Sequence, residues 1–531
     1  MKVEGQPKLP TIARWLFPSI KDILFVAYLF VPILLNASGV LYDGDTGWHI
    51  RNGEHILQTR TFPRSDYFSY TNYGRQWFSW EWLADVCMAV IHKHAGLNGI
   101  VVWANLTFAL TYATLFRWII WRGGNVFVCL AYAAVAGFAS AVHWLARPHL
   151  FTLLLVLVWY VLLESAQSRG TRSSRVPGRM FVILPSIMLL WTNLHGGFII
   201  GIILLWIYAL GNYLTSLTSS QLDNGEVCGR MARHFFLLSL VCLLVTLINP
   251  YGILVHKHIF DSYWHSQGLV DKITEFASPN FHTAVVKFFE LLILSGILVI
   301  SISYWRLNFV EAGLVVFWTH MALFSVRHVP LYAVMVVPIF AVHFTDYLVR
   351  LEIDQKLRPW VTSVVARFNR YSTNILGFEQ QFPGYLYPCL FSVIMISVSL
   401  NQGYLGRNKV LSFGFESSQF PVNAGNFLQS HSLKGNLLTT DYWGGYIIYR
   451  FYPERKVFFD GRSDMYSKEF IKEYESLVNL EHSWKSVLQK YEISSVLLPV
   501  NYGLASAMKE LPEWKVVYDD QFAIIFVRRG D

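Results

Sequence analysis

The sequence predicts an all-α polytopic membrane protein of about eleven transmembrane helices, followed by a small C-terminal α/β domain on the extracytoplasmic side. Three observations predict it. Of 531 residues, 54% are hydrophobic and 15% charged, against roughly 45–50% and about 25% in ordinary soluble domains. The apolar residues gather into runs near the length of about 20 that a helix needs to cross a bilayer. From about residue 402 the pattern turns polar, with short strand-like runs between segments of helical spacing. A disordered chain is excluded. Five cysteines exclude a disulfide scaffold, and Cys129, Cys242 and Cys389 lie inside apolar stretches as packing residues. The net charge of +8 does not indicate nucleic acid, because no Lys/Arg cluster sits on a polar, soluble stretch.

The apolar runs lie near 20–42, 97–116, 125–143, 149–166, 180–193, 196–216, 233–250, 287–304, 308–326, 329–349 and 384–401. The first has no small-residue cleavage site and is long enough to remain as an anchor. Lys and Arg set the orientation, since they collect on cytoplasmic loops. With the N-terminus inside, the inner segments hold 18 basic and 10 acidic residues, and the outer segments up to residue 400 hold 10 of each. The inner set includes Lys2, Lys8, Arg14, Arg117, Arg122, Arg175, Arg306 and Arg350, and the outer set Arg64, Arg147, Lys272 and Arg327. The tail carries 15 basic and 15 acidic residues, so the excess of charge is an orientation signal. Residues 351–383 form a basic, partly amphipathic inner loop suited to an anionic leaflet.

The expected division is 1–401 for the membrane part, including a first outer loop at 43–96, and 402–531 for the outer domain. In the tail, strands are expected at 436–440, 446–450, 456–459, 494–499, 514–518 and 522–528, and helices at 467–480, 481–490 and 504–511.

Polar and aromatic residues concentrate in the first outer loop, in Asp43-Gly-Asp45-Thr-Gly-Trp48-His49, Pro63-Arg64-Ser-Asp66 and Trp77-Phe-Ser-Trp80-Glu81-Trp82. Two carboxylates at i, i+2 after a membrane exit, with a His four residues beyond the second, form a candidate base with its ligand or orienter. Interfacial Trp belts and Asp-Gly turns are the plainer account of parts of this loop. Convergence favours function for Asp43 and Asp45, because most other polar clusters at span ends fall on the same outer side: His143 and Arg147 with His149, Asn193 with His195, Asn249, Glu275, and Arg327 with His328. His320 is the clearest midplane exception and reads as a packing residue. A cleft with carboxylates on one loop and Arg147, Arg327, His143, His195 and His328 opposite suits a phosphate, which Arg matches bidentately. No Walker A sequence or strand-flanked G-x-G-x-x-G is present, so a donor already in the membrane, such as a polyprenyl-phosphate-linked group, fits best.

These residues resemble polytopic glycosyltransferases of the GT-C class. D-G-D-T-G-W-H-I-R-N-G-E, F-P-R-S-D-Y-F-S-Y-T, A-R-P-H-L-F, W-T-N-L-H-G-G, I-N-P-Y-G, D-Y-W-G-G-Y and F-F-D-G-R-S-D-M-Y are similar to a group of mostly uncharacterised bacterial membrane proteins near that class. The resemblance implies an acidic residue of the first outer loop as general base, or as a metal ligand orienting the acceptor; here that is Asp45 or Asp43. Asp441 to Tyr446 is loosely similar to the W-W-D-Y-G stretch of oligosaccharyltransferases, but Thr439-Thr440 stand where that stretch has Trp-Trp, so sequon recognition is not expected. Asp460-Gly461-Arg462 reads as a salt-bridged turn ahead of a substrate contact.

The expectation is a membrane glycosyltransferase of the bacterial cytoplasmic membrane. It would pass a sugar from a polyprenyl-phosphate donor to a saccharide, lipid or protein acceptor on the outer face, with no nucleic-acid partner. Asp45 is the base assisted by Asp43, and Arg147, Arg327, His328, His195 and His143 receive the donor phosphate. His49, Arg64, Asp66, Trp77, Glu81 and Trp82 form the acceptor side, and Asp43, Asp45 and His49 are candidates for a divalent metal. The alternatives are a transporter or flippase of a lipid-linked saccharide, for which the chain lacks a visible internal repeat, and a non-catalytic polysaccharide-assembly protein.

Overall fold

The computed structural model describes residues 10–35, 39–173, 176–264, 275–303, 307–431 and 433–530. Lys2, Lys8, Arg175, Lys272 and Arg306 lie outside the described residues. Each of the eleven apolar runs contains a helix: Ile20–Leu35, Trp82–Trp121, Val126–Ala139, His149–Ser173, Met180–Leu194, Ile199–Thr218, Leu222–Val245, Val286–Ile302, Phe309–Phe324, Val329–Ile353 and Leu386–Leu400. Among the described residues, seven helices are long and apolar enough to cross a membrane. Four of the runs give shorter helices, of 15, 17, 16 and 15 residues. Large apolar side chains such as Leu210, Leu217, Leu244, Leu294 and Val316 are exposed on their flanks, the surface expected where the solvent is hydrocarbon. The Val329–Ile353 helix is the central post, with Val329 to Ala341 buried on every face.

Two helices differ from the sequence reading. The second span begins at Trp82, well before 97, and runs 40 residues. It is interrupted at Gly96, whose φ of 58° lies in the left-handed region that glycine tolerates, so the end of the first outer loop is continuous with a span. Within that loop, Asp45–Thr59 is a helix of 15 residues. Asp43 starts it by accepting the Asp45 N–H at 2.8 Å, which satisfies one of the orphan donors of a helix start.

The tail contains a four-stranded sheet in the order Asn436–Thr439, Ile493–Pro499, Ala523–Arg528, Trp514–Asp519, with the first pair parallel and the others antiparallel. Two expected strands are absent from it. Tyr446 to Arg450 belongs to the Asp441–Phe451 helix, which Thr440 caps by accepting the Trp443 N–H. The period that decides is Trp443, Tyr446 and Ile447, one buried stripe at i, i+3, i+4, and packing overrides the strand propensity of its Tyr and Ile residues. Lys456 to Phe459 is extended but pairs with the first outer loop: Tyr70 N–H donates to the Val457 carbonyl at 3.0 Å and Val457 N–H to the Phe68 carbonyl at 3.0 Å.

The first outer loop and the tail therefore share one core, in which Trp48, Phe68 and Trp77 pack with Phe420, Trp443, Tyr446, Ile447 and Val457. The Asp441–Phe451 helix lies against the Asp45–Thr59 helix through glycine. A Cβ on Gly47 would stand 2.5 Å from the Gly445 carbonyl oxygen, and one on Gly44 would stand 2.7 Å from that of Tyr442. Arg51 Nε adds a bond of 2.8 Å to the Tyr449 carbonyl, and Tyr442 Oη one of 2.5 Å to the Tyr42 carbonyl. Gly445→Leu should destabilise this docking by about 1–3 kcal/mol through overpacking. The measurement is thermal unfolding in detergent with limited proteolysis, and the expected outcome is a lower transition with early cleavage in the tail.

Candidate active site

Three segments far apart in sequence meet at the junction of membrane helices, first loop and tail. The first is the start of the Asp45–Thr59 helix, carrying Asp43 and Asp45. The second is the Ala146-Arg147-Pro148-His149 turn, fastened to the first by its backbone: Ala146 N–H donates to the Val40 carbonyl at 2.9 Å, and Thr46 Oγ1 donates to the Ala146 carbonyl at 3.0 Å. The third is Glu275 to Ala277, tied to the Ser325–Arg327 turn by Ser325 Oγ to the Glu275 carbonyl (2.9 Å) and Val326 N–H to the Ala277 carbonyl (2.9 Å).

These ties direct three carboxylates onto one guanidinium. Arg147 Nη1 is 2.7 Å from both Asp43 Oδ2 and Glu275 Oε1, and Nη2 is 3.1 Å from Asp45 Oδ2. The tail closes the other side, where Gly461 lies so close to the Asp45 carboxylate that no Cβ fits there. Burial and the charge of Asp43 push the Asp45 carboxyl up to about 8, against the opposite pull of Arg147. Glu275, by contrast, is held below the ordinary carboxylate range by Arg147 and Arg327, which outweigh its burial. One carboxylate of the group is thus a proton acceptor tuned near neutrality and another stays ionised, a division typical of acid–base sites.

A second polar group adjoins the first. His49 Nδ1 lies 2.6 Å from Asp85 Oδ1 and Nε2 lies 3.8 Å from Glu81 Oε2. Burial drives the His49 pKa down to about 3, so the ring is neutral, with Nδ1 paired to Asp85 and Nε2 facing Glu81. Asp85 is held in turn by Ser79 Oγ at 3.0 Å and by Asn52. On the far side of Glu81, His195 Nε2 is 3.3 Å from Oε1. His195 Nδ1 accepts from Gly197 N–H at 2.9 Å and faces Thr152 Oγ1 at 2.8 Å, which leaves the proton on Nε2, toward Glu81. Burial raises the Glu81 carboxyl to about 7, so this chain of groups holds an exchangeable proton near neutral pH.

The remaining candidates divide into rim and support. The Arg327 guanidinium lies over the Phe276 ring at 4.4 Å and has no carboxylate partner among the described residues. His328 Nδ1 donates to the Met321 carbonyl at 3.2 Å. His143 is buried with its ring 4.0 Å from that of His149. Trp82 Nε1 donates to Asn193 Oδ1 at 2.9 Å, and Arg64 Nη2 lies 3.5 Å from the Pro250 carbonyl. Asp66 and Trp77 are support: Arg462, 3% exposed, binds Asp460 by a fork (2.8 and 2.7 Å) and Asp66 at 2.8 Å, with Trp77 4.5 Å from its guanidinium. Arg147 itself is occupied by carboxylates. Sequence reasoning named Glu275 only as part of the rim, read Gly461 as part of a salt-bridged turn, and passed over Asp85. An Asp in the first turn of an apolar helix was the available signal for Asp85. For a divalent metal, Asp43 and Asp45 are engaged with Arg147 and His49 with Asp85, and among the described residues no three His, Cys, Asp or Glu side chains are grouped to hold an ion.

No family model matches this sequence, and no curated protein matches it. The fold is similar to that of oligosaccharyltransferases, polytopic membrane glycosyltransferases of GT-C type. One such structure is the archaeal oligosaccharyltransferase AglB from Archaeoglobus fulgidus in complex with an inhibitory peptide and a dolichol-phosphate, with TM-score 0.52 and 12% identity, covering 96% of this chain and 74% of that one. Another is the Archaeoglobus fulgidus oligosaccharyltransferase tethered to an acceptor peptide containing the NVT sequon, with TM-score 0.50, 12% identity and the same coverage. At this identity the likeness defines the fold.

Arg462→Ala would leave Asp66 and Asp460 buried without their cation, so it should cost about 3–5 kcal/mol. Thermal unfolding of the detergent-solubilised protein checks this, with a drop in the transition expected.

Proposed function

We propose that this protein is a membrane glycosyltransferase that moves a sugar from a polyprenyl-phosphate donor to an acceptor on the extracytoplasmic face of the membrane. The observation that carries the reading is the convergence of Asp43, Asp45 and Glu275 on Arg147, beside Arg327, a cation without a carboxylate partner among the described residues. A carboxyl raised to about 8 is a competent base for a hydroxyl, and a guanidinium that makes no ion pair among the described residues is a competent partner for a lipid phosphate. The fold likeness to a protein whose structure is a complex with a dolichol-phosphate supports this choice of donor. The excess of Lys and Arg on the segments assigned inside supports the orientation, with the N-terminus in the cytoplasm of a bacterial cell and the tail outside.

In the proposed reaction the acceptor hydroxyl gives its proton to Asp45 as its oxygen bonds to the anomeric carbon. The bond from that carbon to the phosphate oxygen breaks, and polyprenyl phosphate departs with the electron pair. Its negative charge meets Arg327, while His328, whose Nδ1–H is given to the Met321 carbonyl, brings no charge to it. Attack and departure on opposite faces invert the anomeric centre. Asp43 positions Asp45 by accepting its backbone N–H, and Asp45 returns the proton to solvent after the transfer.

Protein in lipid nanodiscs, incubated with a panel of polyprenyl-phosphate sugars, should release polyprenyl phosphate. Because the base works only when deprotonated, the rate should rise with pH through about 8 and then level off. Asp45→Asn should lower the rate by about 10²–10⁴-fold, and release unchanged in that variant refutes the assignment. Arg327→Gln should lower kcat/KM for the donor by about ten- to a hundredfold, the scale of one lost bond to a charged phosphate.

A further inference from the structure

Three carboxylates from two separate segments do not gather without a cation, since their charges repel one another in a site of reduced dielectric. In this fold the cation is covalently part of the chain. Arg147 Nη1 is shared by Asp43 Oδ2 and Glu275 Oε1 at 2.7 Å each, and Nη2 takes Asp45 Oδ2 at 3.1 Å. The side chains are 16%, 27% and 14% exposed, and that of Arg147 20%, so solvent does not replace these contacts. The backbone bonds of Ala146 to Val40 and Thr46 place Arg147 opposite Asp43 and Asp45 before any ligand arrives.

We propose that the Arg147 guanidinium is the resident cation of this carboxylate group, occupying the position a divalent metal would need, so that the protein works without such a metal. The geometry is that of a fork: its two nitrogens hold the carboxylate oxygens at hydrogen-bond distance. A Mg²⁺ or Mn²⁺ ion needs its oxygen ligands gathered to about 2.0–2.2 Å around one point, which the guanidinium fills. His49, the nitrogen ligand nearest in sequence, is turned to Asp85 at 2.6 Å. The fork also fixes the orientation of the Asp45 carboxylate, a positioning role that a spherical ion fills less specifically.

The test is metal binding by the full-length, metal-stripped protein, read by Mn²⁺ electron paramagnetic resonance. The wild type should show no site tighter than about 1 mM. Removing the guanidinium while keeping the aliphatic stem, in Arg147→Met, frees three carboxylates and should create a site at least about tenfold tighter. That site should be lost again in Arg147→Met/Glu275→Gln. A wild-type Mn²⁺ site abolished by Asp43→Asn overturns the inference, as does an Arg147→Met protein with an unshifted unfolding transition that binds no Mn²⁺. If Arg147→Met does not fold, the wild-type titration decides alone. The second readout rests on the proposed glycosyl transfer. Release of polyprenyl phosphate unaffected by EDTA agrees with the inference. Release abolished by EDTA and restored by Mn²⁺ overturns it while leaving the transferase reading intact, and absence of release bears only on that reading.

Discussion

The site depends on one close approach of backbones, where Gly44 and Gly47 of the first outer loop meet Gly445 of the tail. With no side chains at these positions, the Asp441–Phe451 helix lies directly on the Asp45–Thr59 helix. Its own Gly444 admits the backbone of Phe459 and Asp460 in the same way. The turn that follows then reaches the Asp45 carboxylate through Gly461. Two sequence patterns some 400 residues apart, D-G-D-T-G and D-Y-W-G-G-Y followed by D-G-R, are thus the two halves of one joint. Arg462 locks it from beneath by pairing with Asp460 of the tail and Asp66 of the loop. Breaking such a buried group of charges costs more than forming it gains, so the joint is specific even where its net contribution to stability is modest.

On this joint the charges take separate tasks. Arg147 is spent on Asp43, Asp45 and Glu275, whereas Arg327, on another turn, makes no ion pair among the described residues. Glu81 lies between His49 and His195 in a separate polar group. The long Trp82–Trp121 helix connects this face to a different polar centre at its far end, where Arg122 lies 3.6 Å from both Glu164 and Glu311. That centre ties helices together and shares no residue with the outer group.

Much of the fold was legible because it follows from solvent. Apolar runs of the right length must be helices in lipid, and each of the eleven contains one. The grouping of Asp43, Asp45, Glu275, Arg147 and Arg327 on one face was legible too, since they sit beside apolar runs and were grouped by topology alone. The partnerships within the rim were not. Arg147 and Arg327 look equivalent in sequence, and only the clamp of Ala146 onto Val40 and Thr46 directs one of them to the carboxylates. Tyr446 to Arg450 reads as a strand by propensity, yet becomes a helix because Gly445 must meet Gly44 and Gly47 on the facing helix. Asp66 and Trp77 look like acceptor groups in an aromatic loop and are instead the bed of Arg462, a contact across almost 400 residues that no local pattern reveals.

The central claim is that a lipid phosphate binds at the outer rim beside Asp45. Electron cryomicroscopy of the protein in nanodiscs with a polyprenyl monophosphate tests it most directly. The account predicts phosphate density within hydrogen-bond reach of the Arg327 guanidinium, on the Asp45 side of the Glu275 segment, with Arg147 still paired to its three carboxylates. Phosphate density at the opposite end of the helices near Arg122, or on Arg147 with the carboxylates displaced, contradicts it.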